Sequence, residues 1–408
     1  MPTALSLCVL VFAAFEPSAQ PPMDRTRVEA EATSQAAEAD RRFKAGEFAA
    51  ALPLYRAERA SRAALGDARY EAYALRAIGC CHYALGDDDA AVSAWHDARL
   101  RDARREDRGY EGYDWLLIGQ SHLRRDRLGE ALKALEAALP LLSGAVDRDH
   151  EADARLALAE VLLRSQRPSA AVPHLERAEN LAHDLNDPFR RATAWLGLAR
   201  AARALNEPGL AVERADDARA AFETLGPPAL ADSARAARTL GEALADLGHL
   251  PEAVAALSMA ADAHRRLDDP AALADDLLVR SAARADDGDL AAAAEDARAS
   301  ASAFRAADDP DGRIDALVAL ADYRSQAGAL AQSAETLAEA AAVARPVATP
   351  ARLVRLLVLT AGVHRRAGLA KPAAAFLDEA DRAAHRADNA ALRRIVSEAR
   401  ATTPRHSP

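Results

Sequence analysis

Lysine is almost absent from this chain of 408 residues: of its 52 basic side chains only Lys44, Lys133 and Lys371 are not arginine. They are followed by Ala45, Ala134 and Pro372, so the Gly-Lys-Ser/Thr turn that cradles a nucleotide phosphate is excluded. No Gly-x-Gly occurs, which removes the dinucleotide fingerprint, and no Gly-x-Ser-x-Gly elbow presents a nucleophilic serine. The one His-Glu pair, His150-Glu151, has Ala154 where a zinc-protease helix needs its second histidine. Three cysteines, Cys8, Cys80 and Cys81, are too few for a disulfide framework. Cys80-Cys81-His82 has the residue types of a metal site, but consecutive residues point to different sides of a helix and no second pair stands at ligand spacing. No catalytic residue, metal or cofactor is therefore expected, and the chain reads as a protein that is not an enzyme.

Aromatic residues make up only 4% of the chain. With few β-branched residues beside them, this argues against a sheet protein. A net charge of -10 with both signs interspersed leaves no basic stripe for a phosphate backbone, so no nucleic-acid partner is expected. What fills the apolar 50% is alanine, roughly a quarter of all residues and the strongest helix former. The longest apolar run, Ala4 to Phe15, is too short to cross a bilayer as a helix. It has no Lys or Arg before it and is followed by Pro17-Ser18-Ala19, a poor cleavage site. Residues 1–29 read as a leader: a mis-assigned start ahead of Met23, a disordered segment or a weak export signal. A cytoplasmic location is expected, with export through that weak signal as the alternative.

From residue 30 the chain repeats itself. Helical apolar runs are interrupted at Gly46, Gly86, Asp126, Gln166, Asn206, Gly248, Gly288, Gly328 and Gly368, 40 apart seven times and 42 apart once. Glycine and asparagine tolerate the left-handed backbone that ends a helix. Five residues after each turn stand Ala51, Ala91, Ala131, Ala171, Ala211, Ala253, Ala293, Ser333 and Ala373. Seven before it come Ala39, Gly79, Gly119, Ala159, Ala199, Gly241, Ser281, Ala321 and Ala361. Twelve after it come Glu58, Ala98, Ala138, Ala178, Ala218, Ala260, Ser300, Ala340 and Ala380. Small residues at three fixed places per repeat let neighbouring helices approach closely.

Leu75-x-x-Ile78-Gly79 and Trp115-x-x-Ile118-Gly119 precede a turn, and Ala131-x-x-x-Leu135-x-x-Ala138 follows one. On these motifs the sequence resembles the tetratricopeptide repeat family, in its longer variety with a period of 40 found in kinesin light chains and bacterial regulators. His82 and His122 stand where the family's first-helix tyrosine is usual, with Tyr83 one residue late. The resemblance implies an all-α, right-handed α-solenoid of about nine helical hairpins over residues 30–386. Asp187-Pro188, Asp269-Pro270 and Asp309-Pro310 should start helices cleanly, with the aspartate as cap and proline in the first turn. Pro140 should kink its helix. Residues 387–401 read as a capping helix with Ile395 and Val396 inward, and 402–408 as a disordered tail.

In tetratricopeptide arrays the first helix of each hairpin lines the concave side and supplies most ligand contacts. Carried over position by position, this implies Tyr73, Arg76 and Tyr83 in the second hairpin, Tyr113, Gln120 and Arg124 in the third, and Arg200 and Arg203 in the fifth as partner-binding residues. Arg76 and Arg124 are candidates to hold a carboxylate. Tyr70-Glu71-x-Tyr73 recurs as Tyr110-Glu111-x-Tyr113, so these rings either line one wall or seal the junction between repeats. Trp95 and Trp115 occupy bulky packing positions. The implied function is a non-enzymatic scaffold that binds a peptide or protein segment in the groove. The alternative is a peptide-sensing regulator acting on a separate effector. No membrane span is expected, and the sequence fixes no oligomeric state.

Overall fold

The computed structural model describes residues 24–144 and 148–401; the expected leader up to residue 23 and the tail from residue 402 lie outside them. The chain divides after residue 145 into two compact units. The first holds three hairpins: α1 (Arg25–Lys44) with α2 (Phe48–Leu65), α3 (Ala68–Ala84) with α4 (Asp88–Arg104), and α5 (Arg108–Arg124) with α6 (Leu128–Leu142). The second begins with α7 (Arg148–Arg164) and α8 (Pro168–Asp184), then α9 (Pro188–Ala204) and α10 (Pro208–Leu225). It continues with α11 (Leu230–Asp246), α12 (Leu250–Arg266), α13 (Pro270–Asp286) and α14 (Leu290–Ala306). It ends with α15 (Pro310–Gln326), α16 (Leu330–Val347), α17 (Pro350–Arg366), α18 (Ala370–Arg386) and the single helix α19 (Ala390–Ala401). Among the described residues there is no strand, and each unit is a solenoid-like stack in which every helix packs on the next.

All nine expected turn residues have positive φ, from 56° at Asp126 to 88° at Gly288. The backbone closes each turn in the same way: at the second one the Gly86 amide donates to the Tyr83 carbonyl and the Asp87 amide to the His82 carbonyl. The same geometry recurs halfway between, at Gly66, Glu106, Asn186, Asp268, Asp308 and Asp388, whereas Gly226 has positive φ with an extended ψ of -155° ahead of Pro227. The repeat of forty is thus two helical periods of about twenty, most of them ended by one left-handed residue; α16 instead ends in extended backbone at Ala348. Asp67, Asp87, Asp107, Asp187, Asp269, Asp289 and Asp309 then cap the following helices through their side chains. Pro140, the expected kink site, stands two residues before the end of α6, which stops at 15 residues where α3, α4 and α5 run 17, and the division into units comes three residues after that end. At the other end Leu392 and Val396 of α19 are buried and Ile395 half-buried against the last hairpins.

Every residue at the three small positions is buried, Glu58 included. The closeness they permit is measurable. A β-carbon on Gly79 would lie 2.3 Å from the Trp95 ring, and one on Gly241 would lie 2.6 Å from Leu257. Trp95 is 1% exposed, and its indole N–H donates to the Arg76 carbonyl at 3.1 Å.

One ionic cluster lies inside the first unit. The Arg76 guanidinium donates to Asp114 at 2.6 Å and to Asp102 at 2.5 Å, and Asp102 also accepts from Arg105 at 3.0 Å. Asp114 is fully buried. Burial pushes its carboxyl up to about 7 against the opposing pull of Arg76.

Two outcomes follow. Gly79→Ala lowers the stability of the first unit, by roughly 1–3 kcal/mol for overpacking against a rigid ring, and Trp95→Leu relieves that added strain. A double-mutant cycle by chemical denaturation reads the coupling, and strict additivity would refute the contact. Arg76→Ala orphans Asp114 and costs about 3–5 kcal/mol, as expected when a buried pair loses one partner. Adding Asp114→Asn returns part of that loss, again by denaturant titration.

Candidate functional site

Of the expected partner-binding residues on the first helices, Tyr73, Tyr83, Tyr113, Gln120, Arg124, Arg200 and Arg203 are exposed or half-buried, and Arg76 is buried. In the first unit they do not act alike. The Tyr73 ring is 41% exposed, but its hydroxyl donates to Asp40 at 3.0 Å. Tyr55 donates to the same oxygen at 2.6 Å. Burial first, then Asp40, holds the Tyr73 phenol above its ordinary range. Tyr113 is half-buried, with the Arg76 guanidinium 5.8 Å from its ring. Arg76 is no surface hook for a partner's carboxylate: the carboxylates it holds are the internal ones of Asp102 and Asp114. Tyr70 and Tyr110 cover buried arginines, Arg62 at 4.5 Å and Arg76 at 4.7 Å from the ring centres, yet stay 46% and 44% exposed and line one small cleft with Tyr73. Trp115 packs between His96 and Arg99.

Tyr83 and Gln120 come together in a cleft of about 440 Å³, lined also by Phe43, Phe48, Cys80, Trp95 and Leu117. Tyr83 leans on Trp95 with ring centres 5.7 Å apart, and the Arg124 guanidinium sits 3.4 Å from its centroid. Arg124 is anchored there by the Tyr83 carbonyl at 2.9 Å and Asp88 at 2.7 Å. Burial raises the Cys80 thiol, which makes it a poor nucleophile at neutral pH. Cys81 is turned into the core instead, and among the described residues no three His, Cys, Asp or Glu side chains converge on a metal position. No described helix is long and apolar enough to cross a membrane. The sequence reasoning passed over Phe43, although it stands three residues before its turn, the place Tyr83 holds one repeat later.

The second unit carries a larger groove, about 940 Å³, across the first helices α7, α9 and α11. It gathers Arg200 and Arg203 with Arg235 and Arg238, three acids and a floor that includes Leu163 and Leu196. Arg200 donates to Glu160 at 2.5 Å, and Arg203 to Asp246 at 2.7 Å and to Glu242. Arg238 reaches Glu242 at 3.2 Å and Asp275 at 3.3 Å. The pairs Arg200–Glu160, Arg203–Glu242 and Arg238–Asp275 span about one repeat and tie neighbouring first helices together. Exposed ion pairs of this kind contribute only ~0–1 kcal/mol each, so the wall keeps its side chains ordered yet exchanges partners at little cost.

A family model described as tetratricopeptide repeat matches residues 114–184. A search of curated protein sequences returned no match. Among solved structures, the apo form of RapI is similar with a TM-score of 0.55 and 14% identity, covering 67% of this chain and 98% of that one. A STAND protein with a tetratricopeptide repeat sensor from Pyrococcus horikoshii gives a TM-score of 0.60 at 12% identity over 84% of this chain and 54% of that one. A Rap protein in complex with competence and sporulation factor gives 0.50 at 14% identity, covering 92% of this chain and 99% of that one. At these identities the likeness is one of fold. The segment that matches the family model covers the third hairpin from residue 114 and the whole of the fourth, and the forty-residue register of these two continues through the other hairpins, so the chain is similar in fold to tetratricopeptide-repeat proteins.

Proposed function

We propose that the chain is a non-catalytic binding protein that holds a polypeptide segment on the solvent face of its first helices. The observation that carries this is the groove on α7, α9 and α11, whose arginines and acids alternate above a leucine floor. An extended segment presents carbonyls, amides and side chains of either charge at short intervals, and such a wall offers donors and acceptors to match. The cleft of the first unit supplies a separate aromatic pocket for one apolar side chain. A sensing role, in which occupancy is passed to a separate effector, is the second reading; the likeness to the Rap complex with competence and sporulation factor favours it.

The test is a selection of random displayed peptides on the intact chain, followed by calorimetry of the strongest binder. Arg203→Ala combined with Arg235→Ala weakens that peptide at least tenfold with unchanged helical circular dichroism. Selected peptides that bind the double variant as tightly as the parent chain would remove the groove from the reading.

A further inference from the structure

Twelve residues after the turn, eight of the nine hairpins carry alanine or serine, and the first carries Glu58. Its carboxylate is as buried as the alanines it replaces, 0% exposed, and neither oxygen has a hydrogen-bond partner. Two other buried atoms of the same hairpin are also unpartnered, Gln35 Oε1 and Arg62 Nε. Gln35 stands eleven residues before the turn and Glu58 twelve after it, so the antiparallel pairing of α1 and α2 puts them at one level. That level is bracketed by the Tyr55–Asp40 bond at 2.6 Å on one side and Arg62–Thr33 at 3.3 Å on the other. The layer therefore holds three unpartnered acceptor oxygens. Its nearest cation, Arg62 Nε, is 3.9 Å from Glu58, beyond hydrogen-bond reach.

We propose that Glu58 is a proton-operated latch of the first hairpin: α1 is held on α2 while the carboxyl carries a proton, and released as it ionises. A proton turns one of the three surplus acceptors into a donor, which is what the layer lacks. An ionised carboxylate there is instead a buried charge without a hydrogen bond. The charged and titratable groups that act on it are Asp40 from α1, Arg62 from its own helix α2 and Tyr73 from α3. Burial, with Asp40 adding and Arg62 opposing, pushes the Glu58 carboxyl up from 4.5 to about 7. An acid raised in the packed state contributes most below its unpacked value. Closure is thus tightest below about 4.5, weakens as pH rises toward about 7, and is constant above that.

The latch acts on the candidate site because α1 contributes Phe43 and Lys44 to the aromatic cleft and Asp40 to the Tyr73 hydroxyl. It stands whether or not that cleft binds a peptide. Hydrogen exchange of the intact chain between pH 5.5 and 8, corrected for intrinsic rates, tests it. Protection of α1 and α2 amides falls more than tenfold across that range in the parent chain and stays flat in Glu58→Gln, which keeps the shape without the charge. Should glutamine disturb packing, Glu58→Ala, the residue most other hairpins use, gives the same flat profile. Parallel pH profiles in the parent chain and in both variants would overturn the proposal.

Discussion

The structure depends on how closely two helices can pass. An alanine or glycine at a crossing removes the side chain that would hold the axes apart, and it must do so at the same three levels of every hairpin. Everything else is fitted around that constraint: the ring of Trp95 occupies the space over Gly79, and Leu135 and Leu257 occupy the space over Gly119 and Gly241. Alanine does not stabilise such a core by the area it buries, since one methyl buries little. It stabilises by letting backbone and larger neighbours meet without voids, while losing no side-chain entropy.

A stack made this way has little apolar surface to spare, and charge takes over where larger cores would use leucine. Arginine, almost the only cation in the chain, suits the task because its planar fork holds two partners at once. Arg76 does so deep inside the first unit, between Asp102 and Asp114. Arg190 does so nearer solvent, holding Asp153 through two bonds of 2.7 and 2.9 Å while also touching Asp187. The same side chain is thus a fixed core element in one hairpin and an exchangeable surface partner in another. Only exposure separates the two, because screening by water removes most of the energy of the outer pairs.

That difference also decides what the sequence could reveal. The hairpins, their turns and the buried small residues were legible, because each is a local rule repeated at fixed spacing. The inter-hairpin turns were less so: Glu106, Asp268 and Asp308 take the left-handed backbone without being glycine, and an acidic residue there reads first as a cap. The role of Arg76 was not legible. Its position before the turn is one that faces solvent in the general pattern, and nothing local announces that Asp102, 26 residues on, and Asp114, 38 residues on, close around it. The division after residue 145 was hidden for a similar reason, since Pro140 marks only a helix end and the sequence register continues past it.

A regular array is informative where it breaks its own rule. Alanine at a crossing satisfies the packing constraint and titrates nothing, so a hairpin of alanines has no chemical state to change. Replacing one of them by glutamate, at a site with no donor within hydrogen-bond reach, gives that hairpin a state that depends on a proton. The same logic applies to glycine opposite Trp95: the exception is a large ring in a place that takes leucine in five other hairpins, and it carries the wall on which Tyr83 leans. Both exceptions lie in the first unit: Trp95 on α4 lines its aromatic cleft, and Glu58 lies on α2, the partner of the α1 helix that contributes Phe43 and Lys44 to it. In a protein whose repeats are otherwise interchangeable, that coincidence of broken register is what distinguishes one end of the chain from the rest.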